Sequence, residues 1–389
     1  MKPFLEWVLL LAWLLPLYSY LIYPIIMSLL SLRRMPVPAA GGADSQLRGA
    51  AVALPVAVVV AAHNEEVHVE ALVTSLRALT CAGGLRAYIG SDGSTDATVS
   101  RLRAMAGDDL RVFAYEQNRG KASVLNDLVA ASREPIIVFT DANTLLDAGA
   151  LTQLLKAFAD PTVGMVCGEL RLSHSGGGDN LDGLYWRVEQ RLKRAEAGLG
   201  GLLGANGGIY AIRRECYIPL ERDTIIDDFC IGMNIAARGW RLVYEPAAVA
   251  RELAPPNISD EVGRRIRIGI GNYQACFRHP EYLWRAGPIT AFTYLSHKVL
   301  RWFTPHCLLI ALLASALLAR DAPFGLLLAL QLAGYLLCAL AYAASSRVRL
   351  PALLRIPVFL VSLNAALAVG FWRYLTGQYG GSWRRTQRG

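Results

Sequence analysis

Residues 4–32 form an almost unbroken apolar stretch, and this feature constrains the chain most. Glu6, two prolines and a few serines and tyrosines interrupt it. A membrane-spanning helix needs about 20 apolar residues, so the stretch is long enough for one tilted span and too short for two. A signal peptide is disfavoured, because its apolar core has roughly 7–15 residues and because Lys2 is the only basic residue before the stretch. We therefore predict a transmembrane anchor at residues 1–34.

Basic residues follow the anchor directly. By the positive-inside rule, Arg33 and Arg34 place the following chain in the cytoplasm and the N-terminus outside. Residues 35–54 are rich in proline, glycine and alanine and are predicted to be a flexible linker. Residues 55–285 then carry charges at the density of a water-soluble domain.

Apolar sequence returns near the C-terminus, in runs at 303–319, 323–344 and 353–375. Residues 286–302 mix aromatic and basic side chains, which predicts an amphipathic helix in the membrane interface. Residues 303–376 are predicted to be transmembrane or interfacial helices. Arg355 and Asn364 make the last run the weakest span, with an interfacial position as the alternative. The topology stays open, because three spans would place the basic tail, residues 377–389, outside, whereas its charge favours the cytoplasm.

The overall composition agrees with a membrane protein that carries a globular domain. The chain is 54% apolar and 18% charged, whereas soluble domains are roughly 45–50% apolar and about 25% charged. This excludes a disordered chain, a small disulfide scaffold and an ordinary cytosolic enzyme. The net charge of +8 is attributed to the cytoplasmic membrane face rather than to a nucleic-acid partner. Seven scattered cysteines without a CxxC pair fit a reducing compartment.

Apolar runs alternate with helical patterns between residues 55 and 246. The run 56–62 is continuous and rich in valine, which is typical of a buried parallel strand. We predict further strands at 86–90, 110–115 and 135–140, and helices at 65–79, 94–105 and 121–132. Ser94 would cap the second helix. The alternation predicts an α/β fold with a doubly wound sheet, whose ligand binds beyond the carboxyl ends of the strands.

Polar clusters stand where that ligand would bind, at residues 63–66, 91–96, 118–121 and 141–144. Each alone could be a turn or a helix cap, but their joint occurrence indicates one crevice. Asp92 can accept a hydrogen bond from a base or a ribose hydroxyl. Asp141 and Asn143 offer two oxygen ligands to Mg²⁺ or Mn²⁺. The motifs of a P-loop and of a dinucleotide site are missing from the sequence.

The motifs AHNEE, GSDGSTD, NRGK and TDANT together resemble the GT-A fold of family 2 glycosyltransferases, inverting enzymes that use nucleotide-sugar donors. The resemblance covers residues 55–285, and the flanking membrane segments match the membrane-bound polysaccharide synthase branch. It implies a nucleotide site at Ala62, Asn64, Glu65, Asp92, Lys121, Asp141, Arg264 and Arg267. Asp141 and Asn143 occupy the metal-binding DxD position. Asn143 departs from this motif, because its amide can ligate a cation but supplies no charge.

Paired acids, Asp227 and Asp228, precede a predicted helix at 229–238. They could simply complement the helix dipole. Inverting transfer also needs a carboxylate that deprotonates the attacking hydroxyl. The resemblance places Asp228 at the last position of a TED-like motif, as this general base. Repulsion between neighbouring acids would raise one pKa, which suits that role.

Three further elements belong to the predicted site. A glycine-rich turn with Asn206, Gly207 and Gly208 is either a tight connection or a surface for the acceptor sugar. Arg264 and Arg267 resemble the basic positions of a (Q/R)xxRW motif that can hold diphosphate oxygens. Ile268 replaces the tryptophan of processive synthases, which weakens the prediction of a polymerase. In the tail, Trp383 and Thr386 resemble a WxxT element that closes over the nucleotide.

The sequence thus predicts a multi-pass enzyme of the inner (plasma) membrane with a cytoplasmic catalytic domain. It would use Mg²⁺ or Mn²⁺ and transfer a sugar from a nucleotide-sugar, expected to be a UDP-sugar, to a glycan or a polyprenyl-linked acceptor. It would contact membrane lipid and no nucleic acid. A processive synthase with export and a non-catalytic nucleotide-sugar-binding subunit are the alternatives. A nucleotidyltransferase is disfavoured, because AAHNEE replaces the glycine-rich loop it would need.

Overall fold

The computed structural model describes residues 1–33, 45–173, 181–253, 258–344 and 351–379. Its strands are β1 (Val56–Ala62), β2 (Leu85–Asp92), β3 (Leu110–Tyr115), β4 (Ile136–Phe139), β5 (Thr144–Leu146), β6 (Val163–Ser173), β7 (Tyr210–Arg213) and β8 (Arg241–Leu253). The helices before β6 are α1 (Lys2–Leu17), α2 (Tyr23–Arg33), α3 (Ser45–Val52), α4 (Val69–Arg77), α5 (Thr98–Met105), α6 (Lys121–Ala131) and α7 (Ala150–Ala157). Those after it are α8 (Leu181–Gly198), α9 (Asp227–Ala237), α10 (Ile258–Arg278), α11 (Tyr282–Arg285), α12 (Pro288–Thr293), α13 (Leu300–Trp302), α14 (Thr304–Leu317), α15 (Phe324–Ala344) and α16 (Ala352–Leu375).

Eight strands form one mixed sheet in the order β3-β2-β1-β4-β7-β6-β8-β5. The first four strands of this order, β3 to β4, are parallel, as the alternating sequence predicts. β7 runs antiparallel to both of its neighbours, β6 and β8 are parallel, and β5 is antiparallel to β8. The predicted α/β fold is therefore confirmed, with a parallel half that holds the strand-end motifs and a mixed half built from later sequence.

Helices cover both faces of the sheet, which explains the continuous apolar sequence of β1. Val56, Val58 and Val60 pack in one core with side chains of α4, α5 and α7. Ala57 and Val59 point to the other face and pack in a second core with α6 and α9. A strand buried on both faces cannot alternate apolar and polar residues, so all seven residues of β1 are buried.

Two local predictions differ from the structure. Ser94 does not cap a helix, because α5 begins only at Thr98, whose backbone N–H donates to Asp96 Oδ1 over 3.0 Å. The Ser94 hydroxyl instead accepts the Asn64 backbone N–H at 3.0 Å. Part of the predicted linker is the helix α3, and residues 34–44 lie outside the described residues. Tertiary contacts between strand ends outweigh the local helix-capping preference of Ser94.

Three helices in the described part of the chain are long and apolar enough to cross a membrane, at Lys2–Ser31, Phe324–Ala344 and Leu354–Leu375. A fourth candidate is the pair Pro288–Trp302 and Thr304–Leu317, which is bent by 55°. The last apolar run, which Arg355 and Asn364 predict to be the weakest span, is among the helices that pass by length and composition. α14 alone has 14 residues and reaches only about 21 Å, whereas the hydrocarbon core is about 30 Å thick.

Buried polar contacts join the N-terminal helix to the rest of the molecule. A π-helical turn, Tyr18–Ile22, separates α1 from α2, and a second one, Tyr294–Val299, separates α12 from α13. Ser19 in the first turn donates its hydroxyl to the carbonyl of Ser296 in the second over 2.8 Å. His297 lies between two acids of α8, 2.6 Å from Glu196 and 3.0 Å from Glu189. The predicted interfacial segment is therefore bound to both the anchor and the globular domain.

Candidate active site

The first two polar clusters lock together at the ends of β1 and β2. The side-chain oxygen of Asn64 accepts the Thr95 backbone N–H over 2.8 Å. Asn64 has φ +55°, a left-handed conformation that asparagine tolerates better than most residues. His63 Nδ1 lies 2.7 Å from the carbonyl oxygen of Asp92. These contacts hold Glu65 at the cavity, where it lies 2.6 Å from His68 Nδ1.

Asp92 connects the second cluster to the third. Its side chain has no exposed surface, and its two carboxylate oxygens accept the backbone N–H groups of Arg119 at 2.8 Å and Gly120 at 2.9 Å. Gly120 has φ +91°, which favours glycine at this turn. Asp92 thereby holds the loop that precedes α6 and sets the position of Lys121, the first residue of that helix.

Lys121 joins the third and fourth clusters to the paired acids. Its Nζ donates to Asp141 Oδ1 over 2.9 Å and lies 3.1 Å from Asp227 Oδ2. Burial alone would lower the pKa of the Lys121 ammonium, but Asp141 and Asp227 outweigh it and raise that pKa. Lys121 is therefore a firmly protonated cation between two acids that come from other elements of the chain.

Asp227 and Asp228 form the first turn of α9, as the sequence predicts for an acid pair at a helix start. Asp228 Oδ1 accepts the Phe229 backbone N–H over 2.9 Å. Burial, and then repulsion from Asp227, raises the pKa of Asp228 to about 6. A carboxylate with such a pKa is a suitable general base near neutral pH.

Gly207 lies between the two acidic groups of the site. A Cβ at this position would be 3.4 Å from Asp141 Oδ2 and 3.4 Å from Asp228 Oδ2. Its φ of +73° also favours glycine. The loop is held by Thr140, which donates to the Gly208 carbonyl over 2.8 Å, and by Asn206, whose amide donates to Gly168 over 3.0 Å. At Gly207 the loop therefore places backbone without a side chain next to both carboxylates.

A cavity of about 440 Å³ runs through these groups. Of the predicted site residues, it is lined by Glu65, Lys121, Asp141, Asn143, Asn206, Gly207, Asp227, Asp228, Arg264 and Arg267. Ala62, Asn64, Asp92 and Gly208 are not part of its lining. Trp383 and Thr386 lie outside the described residues.

The cavity also has a wall that sequence reasoning missed. It is formed by residues of α8, β8 and the interfacial segment, among them Gln190, Lys193, Glu196, Tyr244, Glu252, His297, Lys298 and Trp302. These residues belong to no recognisable sequence motif. They lie far along the chain from the strand-end clusters and reach the cavity only because the chain folds back onto it. Glu252 lies in a strand that also contains Arg241, Glu245 and Arg251, so its charge alone could not have marked it as a site residue.

The donor set at Asp141 fits a divalent cation that is completed by a ligand. In the described part of the chain, no group of three or more His, Cys, Asp or Glu side chains could hold a metal ion alone. Asp141 Oδ2 faces the cavity beside Gly207, and Asn143 also lines it. Mg²⁺ and similar cations are usually bound by one or two protein oxygens together with substrate phosphates and water. Two protein ligands are therefore sufficient for such a site.

Comparisons with known proteins show which proteins this chain is similar to. The family model "Glycosyl transferase family 2" matches residues 57–217, and "Glycosyl transferase family group 2" matches residues 183–372. A poly-beta-1,6-N-acetyl-D-glucosamine synthase of Staphylococcus aureus is 24% identical over 199 residues, 48% of this chain and 47% of the relative. An N-acetylglucosaminyltransferase of Azorhizobium caulinodans is 25% identical over 219 residues, 52% of this chain and 55% of the relative. The aligned part thus spans about half the length of each relative.

A solved structure extends the likeness to nearly the whole chain. The mannosyltransferase PcManGT from Pyrobaculum calidifontis, in complex with GDP-Man and Mn²⁺, superposes with a TM-score of 0.71 at 22% identity. The superposition covers 95% of this chain and 99% of that protein. The two proteins therefore share their fold, including the helices that flank the α/β domain.

Proposed function

This chain belongs to the family 2 glycosyltransferases, and we propose that it is a membrane-bound inverting enzyme of glycan assembly. It would transfer a sugar from a nucleotide-diphosphate sugar, expected to be a UDP-sugar, to a glycan or a polyprenyl-linked acceptor. The main support is the position of Gly207 between Asp141 and Asp228 in one cavity. That arrangement offers a place for the donor diphosphate beside Asp141 and a base for the acceptor beside Asp228.

The two arginines of α10 and Lys121 would bind the donor. Arg264 and Arg267 line the cavity from the side of α10 and offer guanidinium donors to diphosphate oxygens. Lys121 keeps the carboxylate of Asp141 in place through its ammonium. A divalent cation held by Asp141 and Asn143 would stabilise the charge of the leaving diphosphate as a Lewis acid.

Asp228 would remove the proton from the attacking hydroxyl of the acceptor. The hydroxyl oxygen forms a bond with the anomeric carbon, the bond from that carbon to the diphosphate breaks, and its electron pair leaves with the diphosphate. Attack opposite the leaving group inverts the anomeric configuration. The raised pKa of Asp228 supports this role, since a stronger base accepts the proton more readily.

The wall formed by α8, β8 and the interfacial segment is where we place the acceptor. It lies on the side of the bent helix pair, next to the predicted membrane interface. Gln190, Lys193 and Lys298 offer polar contacts there, and the aromatic side chains of Tyr244 and Trp302 also line this wall. An acceptor anchored in the cytoplasmic leaflet of the plasma membrane would reach Asp228 from this side.

The test is donor turnover by the full-length chain purified in detergent. UDP- and GDP-sugars are screened for release of the nucleoside diphosphate, and product length is measured. We expect release with one nucleotide class, and its loss in D228N, whereas D108N at an exposed loop should retain it. Release unchanged in D228N would contradict the proposed base, and no turnover of any donor would favour a non-catalytic binding subunit.

Product length separates single addition from processive synthesis. Ile268 lines the cavity at the position of the synthase tryptophan, so we expect short products. Long polymers would instead support a processive synthase with export.

A further inference from the structure

Glu252 stands beside the second position of the DxD-like motif, although the two are 109 residues apart. β5 pairs antiparallel with β8, with Thr144 opposite Glu252. This register brings the turn after β4, which carries Asp141 and Asn143, against the end of β8. Asn143 Nδ2 donates to Glu252 Oε1 over 3.2 Å. Glu252 is 9% exposed and lines the same cavity as Asp141 and Asn143.

The contact determines which end of the Asn143 amide is available to a ligand. A carboxylate has only acceptor atoms, so it must take the NH₂ end of the amide. The carbonyl oxygen of Asn143 then remains as the end that can meet a cation. Without the carboxylate, the amide could present either its nitrogen or its oxygen, and a nitrogen with two hydrogens repels a cation.

The contact also bears on the charge of the site. Asn143 replaces an acid by a neutral amide, and one oxygen of Asp141 is shared with the Lys121 ammonium. A divalent cation beside Asp141 would therefore meet less negative charge than two acids would supply. Glu252 brings a carboxylate to within one hydrogen bond of the position where the second acid would stand.

We propose that Glu252 is a positioning residue of the cation site. It holds the Asn143 amide with its oxygen towards the cation and supplies the negative charge that Asn143 lacks. The inference rests on the proposed function, because it requires that the donor is bound together with a divalent cation. Residues behind metal ligands orient them, and their loss commonly weakens metal affinity about 10–100-fold.

The experiment measures Mn²⁺ binding rather than turnover. The full-length chain in detergent is titrated with Mn²⁺, alone and with UDP or GDP, and free Mn²⁺ is followed by electron paramagnetic resonance. E252Q should weaken Mn²⁺ binding about tenfold. E245Q, on the same strand and outside the cavity lining, is the matched control and should bind as the parent chain does.

A charge swap separates this role from a structural one. In N143D/E252Q, the carboxylate moves to position 143 and the new amide at position 252 can donate to it, so Mn²⁺ affinity should return to within about threefold of the parent. A variant that had merely lost its fold would not recover in this way. Binding by E252Q equal to that of the parent, or no recovery in the double variant, overturns the proposal. No Mn²⁺ binding by the parent chain would instead overturn the metal dependence in the proposed function itself.

Discussion

The ammonium of Lys121 lies 2.9 Å from Asp141 Oδ1, and this ion pair joins the proposed donor side of the cavity to its proposed catalytic side. The same nitrogen lies 3.1 Å from Asp227 Oδ2 and so forms a second ion pair with α9. Lys121 comes from the start of α6, Asp141 from the end of β4 and Asp227 from α9. The Lys121 cation of α6 thus compensates two acids that come from two other elements.

Replacing Lys121 by methionine should destabilise the protein. The variant leaves Asp141 and the buried Asp227 without their cation, and removing one partner of a buried pair commonly costs about 3–5 kcal/mol. Thermal unfolding in detergent would show a clear decrease in the transition temperature. K121R keeps the positive charge, so its transition temperature should decrease much less. A K121M transition equal to that of the parent chain would show that the acids need no cation.

The pH dependence of turnover should report the raised pKa of Asp228. The proposed base acts only when it is ionised, so activity should be retained above the pKa of Asp228 and lost as the pH falls through it. The acid limb of kcat/KM should therefore lie near pH 6 rather than near pH 4.

Replacing Asp227 by asparagine tests what sets the position of this acid limb in the pH profile of kcat/KM. Burial is the first cause of the raised pKa of Asp228 and Asp227 the second. D227N removes the repulsion from Asp227, so the pKa of Asp228 should decrease and the acid limb of the pH profile of kcat/KM should move to lower pH. A limb that stays near pH 6 in D227N would mean that repulsion between the two acids does not set it.

An alanine at position 207 should impair catalysis more than stability. The new Cβ would stand 3.4 Å from oxygens of both Asp141 and Asp228, where the proposed function places the reacting groups. The left-handed conformation adds roughly 1–2 kcal/mol of strain. We expect kcat of G207A to fall at least about tenfold, the equivalent of about 1.4 kcal/mol in the barrier.

Gly200 provides the control for this substitution. It has φ +81° but nothing within 4 Å of an added Cβ, so G200A has comparable backbone strain away from the acids. Turnover of G200A should stay near that of the parent chain. Equal losses of kcat in both variants would attribute the effect of G207A to strain alone.

The hydroxyl of Tyr23 should stabilise the contact between the anchor and α8. It donates to Glu196 over 2.7 Å, and both residues are buried. A hydrogen bond to a charged group contributes about 1.5–3 kcal/mol, whereas a bond between neutral groups contributes about 1 kcal/mol. Y23F should therefore lower the unfolding temperature in detergent more than Y18F, which loses a neutral bond to Ser296. The opposite order would show that Glu196 does not depend on the anchor.

Much of the fold could be predicted because its signals are local. The valine-rich sequence of β1 indicates a strand buried on both faces, and polar residues after consecutive strands indicate a crevice at their carboxyl ends. The cavity does collect Glu65, Lys121 and Asp141 from these strand ends. The supporting role of Asp92 could not be predicted, because its sequence context does not show that both of its oxygens accept backbone N–H groups of the next loop.

The sequence by itself determined the α/β class, the apolar helices and the residue types that can carry glycosyl transfer, since each depends on neighbours within a few positions. Only the tertiary structure decided which side chains share the cavity. Glu252 meets Asn143 because β5 and β8 pair in one register, and His297 meets Glu196 because the interfacial segment packs on α8. Contacts between residues this far apart in the chain depend on how helices and strands pack, and a local sequence pattern does not predict that packing.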